Sequence, residues 1–251
     1  VYGGGYEGGY LNIVSMWGAH TGLSANDWTR YRFISSSLPS KLELETLAFA
    51  IVASVATRGI RFCNVKPDQR IVIIGGGFIG ICAAQLASKL SAKVVLLELD
   101  PERVAFARNL KFDAICSSEN NIDQKLKDKA PDGFDILYDT AGHAETTDRM
   151  VQHMKRQGTM LMQAQYFDKE QCAVDLDQIK IRELTIKTTC GIDDQDWLET
   201  TNYIRSRHLQ IAPLITHRFK STDALKGYQL LHTGKPFNLG IVFHWDERVK
   251  D

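Results

Sequence analysis

The run Ile71-Val72-Ile73-Ile74-Gly75-Gly76-Gly77-Phe78-Ile79-Gly80 sets the expectation for the whole chain. Four branched apolar residues predict a buried strand. Residues 81–89, small and aliphatic with no Gly or Pro, predict a helix that can lie close against it. The glycines between them fall as G-x-G-x-x-G, and in a strand-turn-helix setting each has a task. Gly75 permits the tight turn, Gly77 keeps a Cβ out of the path of a pyrophosphate, and Gly80 lets the helix approach the strand. The helix start also offers N–H groups and the positive end of its dipole to an anion. Gly75, Gly77, Phe78, Ile79 and Gly80 are therefore the candidate cradle for a dinucleotide.

Glycine clusters also serve tight turns of no chemical interest, so the second half of the fingerprint matters more. Glu98 closes the next predicted strand, eighteen residues past Gly80, where a carboxylate accepts hydrogen bonds from the adenosine ribose hydroxyls. A 2'-phosphate would meet its negative charge, so NAD(H) is expected over NADP(H). Asp100 is close enough to share that role, and Arg103, in the first turn of the following helix, can reach over the adenosine ribose. Tyr138-Asp139-Thr140-Ala141-Gly142 leaves a later strand at the carboxyl edge of the sheet, where doubly wound folds bind ligands. Thr140 and Ala141 are candidate cofactor contacts, while His143 reads as a solvated polar residue.

Upstream and downstream of the turn, short apolar runs alternate with helix-like stretches: 71–74, 94–97, 114–116, 134–138, 159–162 and 184–187. Six such strands predict an α/β fold, a doubly wound parallel Rossmann sheet covered on both faces. Residues 45–191 form the expected dinucleotide-binding domain. In the flanks, 28–34 alternates like a strand, 193–206 reads as a helix, and 209–219, 224–231 and 239–245 read as strand, helix and strand. Residues 1–44 and 192–251 are expected to meet as a second lobe, with the nucleotide domain inserted between them.

Thirty basic and thirty acidic side chains cancel, which leaves no excess positive field for nucleic acid or an anionic membrane. A small-molecule partner is favoured. The five cysteines form no C-x-x-C pair and no disulfide framework, and no apolar run reaches the length of a membrane span. A cytoplasmic setting is expected. The glycine-rich start at Val1 reads either as the interior of a longer protein or as an unusual flexible N-terminus, which composition does not separate. A flavoprotein disulfide reductase would need a second glycine fingerprint and a redox cysteine pair. A methyltransferase loop tends to run G-x-G-x-G, and Ile79 stands where that third glycine would be.

On these residues the chain resembles the medium-chain dehydrogenase/reductase superfamily, in its alcohol and polyol dehydrogenase-like branch. Family-like segments include Val65-Lys66-Pro67-Asp68-Gln69-Arg70, Glu98-Leu99-Asp100-Pro101-Glu102-Arg103 and Pro213-Leu214-Ile215-Thr216-His217-Arg218-Phe219. The tail Gly240-Ile241-Val242-Phe243-His244-Trp245 is similar to that of the bacteriochlorophyllide dehydrogenase subgroup. The resemblance implies a Rossmann sheet inserted in a GroES-like, β-rich catalytic lobe of which this chain carries part. It also implies hydride transfer between nicotinamide and an alcohol or carbonyl substrate, and a homo-oligomer formed through edge strands.

The departures from that pattern bear on metal. The family's early Cys and His-Glu ligands are not seen, Ala50 and Ile51 stand where a further Cys or Glu is usual, and Glu43 and Glu45 are out of register. No cysteine lies in residues 1–31. No metal ligand is named and zinc is not expected, so the hydroxyl proton must pass to a side chain or a water relay. His20 is the candidate, ahead of His217. The competing expectation is a dinucleotide-binding protein that has lost catalysis.

Overall fold

The computed structural model describes residues 13–15, 45, 46, 48–166 and 174–244. Among them, one compact unit runs from Ala56 to Gly191. The other joins the residues up to Val55 with those from Ile192 onward.

The central unit is built on strands β2 (Arg70–Ile74), β3 (Lys93–Glu98), β4 (Asp113–Cys116), β5 (Phe134–Asp139), β6 (Met154–Met162) and β7 (Thr185–Thr188). They form one parallel sheet in the order β4-β3-β2-β5-β6-β7. Strand β2 lies at its centre, with Ile71 opposite Val94 on one side and Ile136 on the other. A central parallel strand is covered on both faces, which is why residues 71–74 are all apolar and all buried. All six strands expected from the apolar runs are present. The fifth is longer than expected because it begins at Met154, ahead of Gly158.

Helices α1 (Ala50–Cys63), α2 (Phe78–Lys89), α3 (Pro101–Asn109), α4 (Ile122–Lys129), α5 (Ala144–Val151) and α6 (Leu176–Ile181) connect or flank these strands. On one face Val72, Ile74, Leu97 and Leu137 meet Ile122 and Leu126 of α4 and Met150 of α5 in a continuous apolar core. Helix α2 is buried along most of its length, including Ile81, Ala83, Ala84 and Ala87. Small side chains are what allow a helix this deep to approach the sheet. Helix α3 starts where Pro101 follows Asp100, whose carboxylate accepts from the Glu102 N–H at 2.8 Å.

In the other unit, strand β1 (Ile13–Ser15) pairs antiparallel with β9 (Gly240–His244), and β9 runs parallel to β8 (Ile215–Lys220). The two ends of the chain thus share one small sheet. Helix α7 (Asp194–Arg205) is closed at its start by a reciprocal capping box between Asp193 and Asp196, and α8 (Ala224–Thr233) follows β8. The strand expected over 209–219 forms only from Ile215. Pro213 fixes its own φ and lacks an N–H, and residues Ala212–Leu214 make a 3-10 turn instead. The strand expected over 28–34 lies outside the described residues.

Glu45, almost fully buried, accepts from Arg218 Nε at 2.9 Å and lies 3.0 Å from His244 Nε2. Arg218 is 43% exposed, so water can still solvate it if Glu45 is lost, whereas Glu45, at 5%, would keep only His244 beside it. Arg218→Met should therefore destabilise more than Glu45→Gln, the arginine change costing about 1 to 3 kcal/mol, as read from urea unfolding.

Cys63 and Cys82 are buried and Cys190 is exposed. Burial pushes the Cys63 thiol up to about 12, and that of Cys82 further in the same direction. In the native protein at pH 8, a thiol reagent should modify Cys190 and leave Cys63 and Cys82 untouched until the chain unfolds. Because these folded-state values are raised, their contribution to stability is present below the unfolded thiol value of about 8.5 and is lost as pH rises past it. Urea midpoints measured from pH 7 to pH 10 should fall accordingly, and they should fall less in a Cys63→Ala, Cys82→Ala variant.

Candidate nucleotide-binding site

Strand order reverses at β2, whose neighbours β3 and β5 connect to it in opposite directions. A crevice at the carboxyl ends of the strands follows from that reversal, and it is where doubly wound sheets hold ligands. The glycine turn occupies this point. Gly75 has φ +101°, a value open to glycine, and a Cβ on Gly80 would stand 1.9 Å from the Gly75 carbonyl oxygen. Gly77 caps α2 with extended backbone and brings no side-chain acceptor to the first turn. The positive end of the helix dipole is thereby left open to an anion.

Glu98 sits at the end of β3 beside this turn. Its Oε2 accepts from the Gly76 N–H at 2.6 Å, and its Oε1 accepts from Leu99 N–H at 2.7 Å and Asp100 N–H at 2.9 Å. Three backbone donors fix the carboxylate and leave part of its acceptor capacity open. Asp100, which was expected to share the ribose role, uses its carboxylate to cap α3. The Arg103 guanidinium overhangs the turn, with Nη1 3.3 Å from the place a Cβ on Gly77 would take.

Thr140 turns inward. Its N–H and its hydroxyl both donate to the Ile74 carbonyl, at 3.0 and 2.7 Å, and tie the end of β5 to the end of β2. Ala141 and His143 instead line a cavity of about 320 Å³ beside Gly75 and Glu98, walled further by Leu97, Ser117, Ile122 and Arg149. That volume is of the size that small-molecule sites have. His143 is the N-cap of α5, its Nδ1 3.0 Å from the Thr146 hydroxyl. At the rim, Arg149 donates to Asp123 of α4 at 2.7 Å and His153 lies 2.9 Å from the same carboxylate. The Arg149 hydrogen bond comes first among the causes that hold the Asp123 carboxyl below its usual range.

Sequence reasoning missed Arg149 and Ser117, since single polar residues on a helix and in a loop carry no spacing signal. It also passed over Asp139, which is fully buried. An acid at the end of an otherwise apolar strand run was the available clue.

Of the histidines weighed as acid-base groups, His20 lies outside the described residues. His217 is on β8, with its Nδ1 3.0 Å from the Thr216 hydroxyl and its ring stacked at 6.2 Å from Phe219. Burial lowers its pKa. Among the described residues no group of three or more His, Cys, Asp or Glu side chains could hold a metal ion. Glu45 and His244, two possible ligand types, are joined to each other, with Arg218 on the remaining carboxylate oxygen. These residues do not fit a zinc site.

Comparison with known proteins agrees with this geometry. A family model described as zinc-binding dehydrogenase matches residues 79–206. An L-idonate 5-dehydrogenase of Vitis vinifera is 26% identical over 205 residues, covering 79% of this chain and 55% of that protein. An L-threonine 3-dehydrogenase of Vibrio cholerae is 29% identical over 170 residues, covering 66% of this chain and 49% of that protein. The chain thus spans about half the length of these relatives. The crystal structure of 2R,3R-butanediol dehydrogenase from Bacillus subtilis shares the fold, with a TM-score of 0.74 at 19% identity over 82% of this chain and 59% of that one. With the family model matching just over half of its residues, from Ile79 at the end of the glycine turn through Glu98 to Ser206, the chain belongs to the zinc-binding dehydrogenases of the medium-chain dehydrogenase/reductase superfamily.

Proposed function

We propose that this chain carries the cofactor-binding part of an NAD(H)-dependent alcohol or polyol dehydrogenase. The observation that supports it most is the fixed Glu98 carboxylate, held by three backbone N–H groups beside the Gly75–Gly80 turn and at the mouth of a cavity of about 320 Å³. A bound nicotinamide would supply the hydride chemistry, taking hydride from a carbinol carbon or giving it to a carbonyl.

The chain's own residues bind and orient. Glu98 has acceptor capacity left for ribose hydroxyls, and its charge opposes a 2'-phosphate. The first turn of α2 faces the pyrophosphate, and Arg103 adds a positive charge over Gly77. Thr140 acts through Ile74 and Gly75 by holding the turn in shape. The cavity between α4 and α5 takes the adenosine end, with Ala141 and Leu97 as apolar walls. The relatives named as idonate and threonine dehydrogenases support a small hydroxylated substrate. No described side chain is assigned the hydroxyl proton.

Titration with NADH and with NADPH, followed by energy transfer from Trp and Tyr to the bound nicotinamide, tests the cofactor assignment. NADH should bind more tightly. Glu98→Ala should weaken NADH roughly tenfold, the loss of about one hydrogen-bonded charge, and should narrow the gap to NADPH. Equal binding of the two nucleotides by the native chain would remove Glu98 as the reader. Gly80→Ala, whose new Cβ meets the Gly75 carbonyl, should abolish NADH binding and cost about 1 to 3 kcal/mol in thermal unfolding.

A further inference from the structure

Asp139 ends β5 with its side chain fully buried, and its carboxylate is heavily hydrogen-bonded. Its Oδ1 accepts from the Ala141 N–H at 2.8 Å and the Gly142 N–H at 3.1 Å. Its Oδ2 accepts from the Thr147 hydroxyl at 2.9 Å and, in a short hydrogen bond, from the Tyr166 hydroxyl. Four donors fill the roughly four acceptor positions of a carboxylate. All four are neutral, and no Lys or Arg among the described residues forms an ion pair with it. The Asp139 backbone carbonyl accepts twice more, from Gln163 N–H at 3.1 Å and Ala164 N–H at 3.2 Å.

These partners come from two loops. One follows β5 and carries Ala141 and His143 into the cavity wall; the other follows β6, which pairs with β5 so that Asp139 lies opposite Met162. The loops touch closely. Gly142 has φ +72°, and a Cβ there would stand 2.2 Å from the Gln165 carbonyl oxygen. A buried acid costs several kcal/mol to desolvate unless it is fully bonded, and simple apolar packing would close a strand end without it. What the acid adds is direction: each hydrogen bond fixes one named group of one loop relative to the other.

We infer that Asp139 is a positioning residue for dinucleotide binding, a latch that sets the β5 and β6 loops against each other at the carboxyl edge of the sheet. The inference rests on the dinucleotide reading of the neighbouring turn. Asp139 touches no ligand itself. It acts through Ala141 and Gly142 on one side and Tyr166 on the other.

Three variants of the full chain test it. Asp139→Asn turns one acceptor into a donor that faces the Thr147 and Tyr166 hydroxyls, and Tyr166→Phe removes one hydroxyl from a half-buried ring. Asp135→Asn is the control. That acid lies at the opposite end of the same strand and accepts from Arg70 N–H at 2.8 Å and Lys155 Nζ at 3.0 Å.

The expected result is an NADH dissociation constant raised about tenfold in Asp139→Asn and several-fold in Tyr166→Phe, and unchanged in Asp135→Asn despite a lowered melting temperature. Hydrogen exchange at residues 140–143 and 163–166 should quicken in the first two variants while the strands keep their protection. NADH affinity that is unaltered in folded Asp139→Asn and in Tyr166→Phe overturns the latch and leaves the dinucleotide reading intact. Should Asp139→Asn not fold, Tyr166→Phe decides by the same measurement. A native chain that binds neither NADH nor NADPH overturns both.

Discussion

The structure depends on one close approach, that of α2 to the end of β2. The Gly80 Cα lies so near the Gly75 carbonyl that no side-chain carbon fits between them. From this contact follow the sharp turn at Gly75, the burial of α2 among small residues, and the aim of the helix N-terminus at the crevice. Widening it by one methyl group would tilt the helix dipole away from the switch point and separate Gly76 from Glu98. The Thr140 hydroxyl, packed beneath Gly75 and bonded to Ile74, shows how tightly the neighbouring strand is built around the same contact.

Two carboxylates flank that turn and are handled in different ways. Glu98, half-exposed, is bonded by three backbone N–H groups and keeps acceptor capacity toward solvent. Asp139 is buried and fully satisfied. An acid with open acceptor positions can read a ligand hydroxyl, and a saturated one can only hold protein. On the proposed reading, the strand ends of β3 and β5 divide recognition and positioning between them. The difference comes from burial and donor count, because both residues are acids closing an apolar strand.

That distinction marks the limit of what the sequence made legible. The period of the apolar runs gave all six central strands, and G-x-G-x-x-G with an acid at the next strand end gave the turn and Glu98, because those features express local backbone geometry. Asp139 follows the same local pattern as Glu98, and its role emerges only when Tyr166, 27 residues on, folds back onto it. Thr140 was placed correctly at the sheet edge, yet its hydroxyl points at Ile74, a choice made by tertiary packing. Likewise 209–219 has the apolar content of a strand throughout, and Pro213 together with the 3-10 turn delays pairing to Ile215. The cavity wall from α4 and α5 had no sequence signature, since Ile122 and Leu126 look like ordinary core and Arg149 like ordinary surface.

The chain's neutral balance of charge poses a last question, for a dinucleotide carries two negative phosphates. Thirty acidic and thirty basic side chains provide no net long-range attraction, so the proposed site would have to supply its positive character locally. It does so with backbone. The first turn of α2 points its dipole at the crevice, whereas the N–H groups and hydroxyls that bond Glu98 and Asp139 are spent on those two carboxylates. Arg103 then stands over Gly77 as the side-chain cation beside the turn. Fixed dipoles of this kind need no reorganisation when an anion arrives, and they fall off over a few ångströms. On the proposed reading, a site made this way selects by shape and hydrogen-bond position instead of by net charge, in keeping with two constrained features that lie together: a turn with no room for a methyl group and a buried acid bonded by two backbone N–H groups and two side-chain hydroxyls.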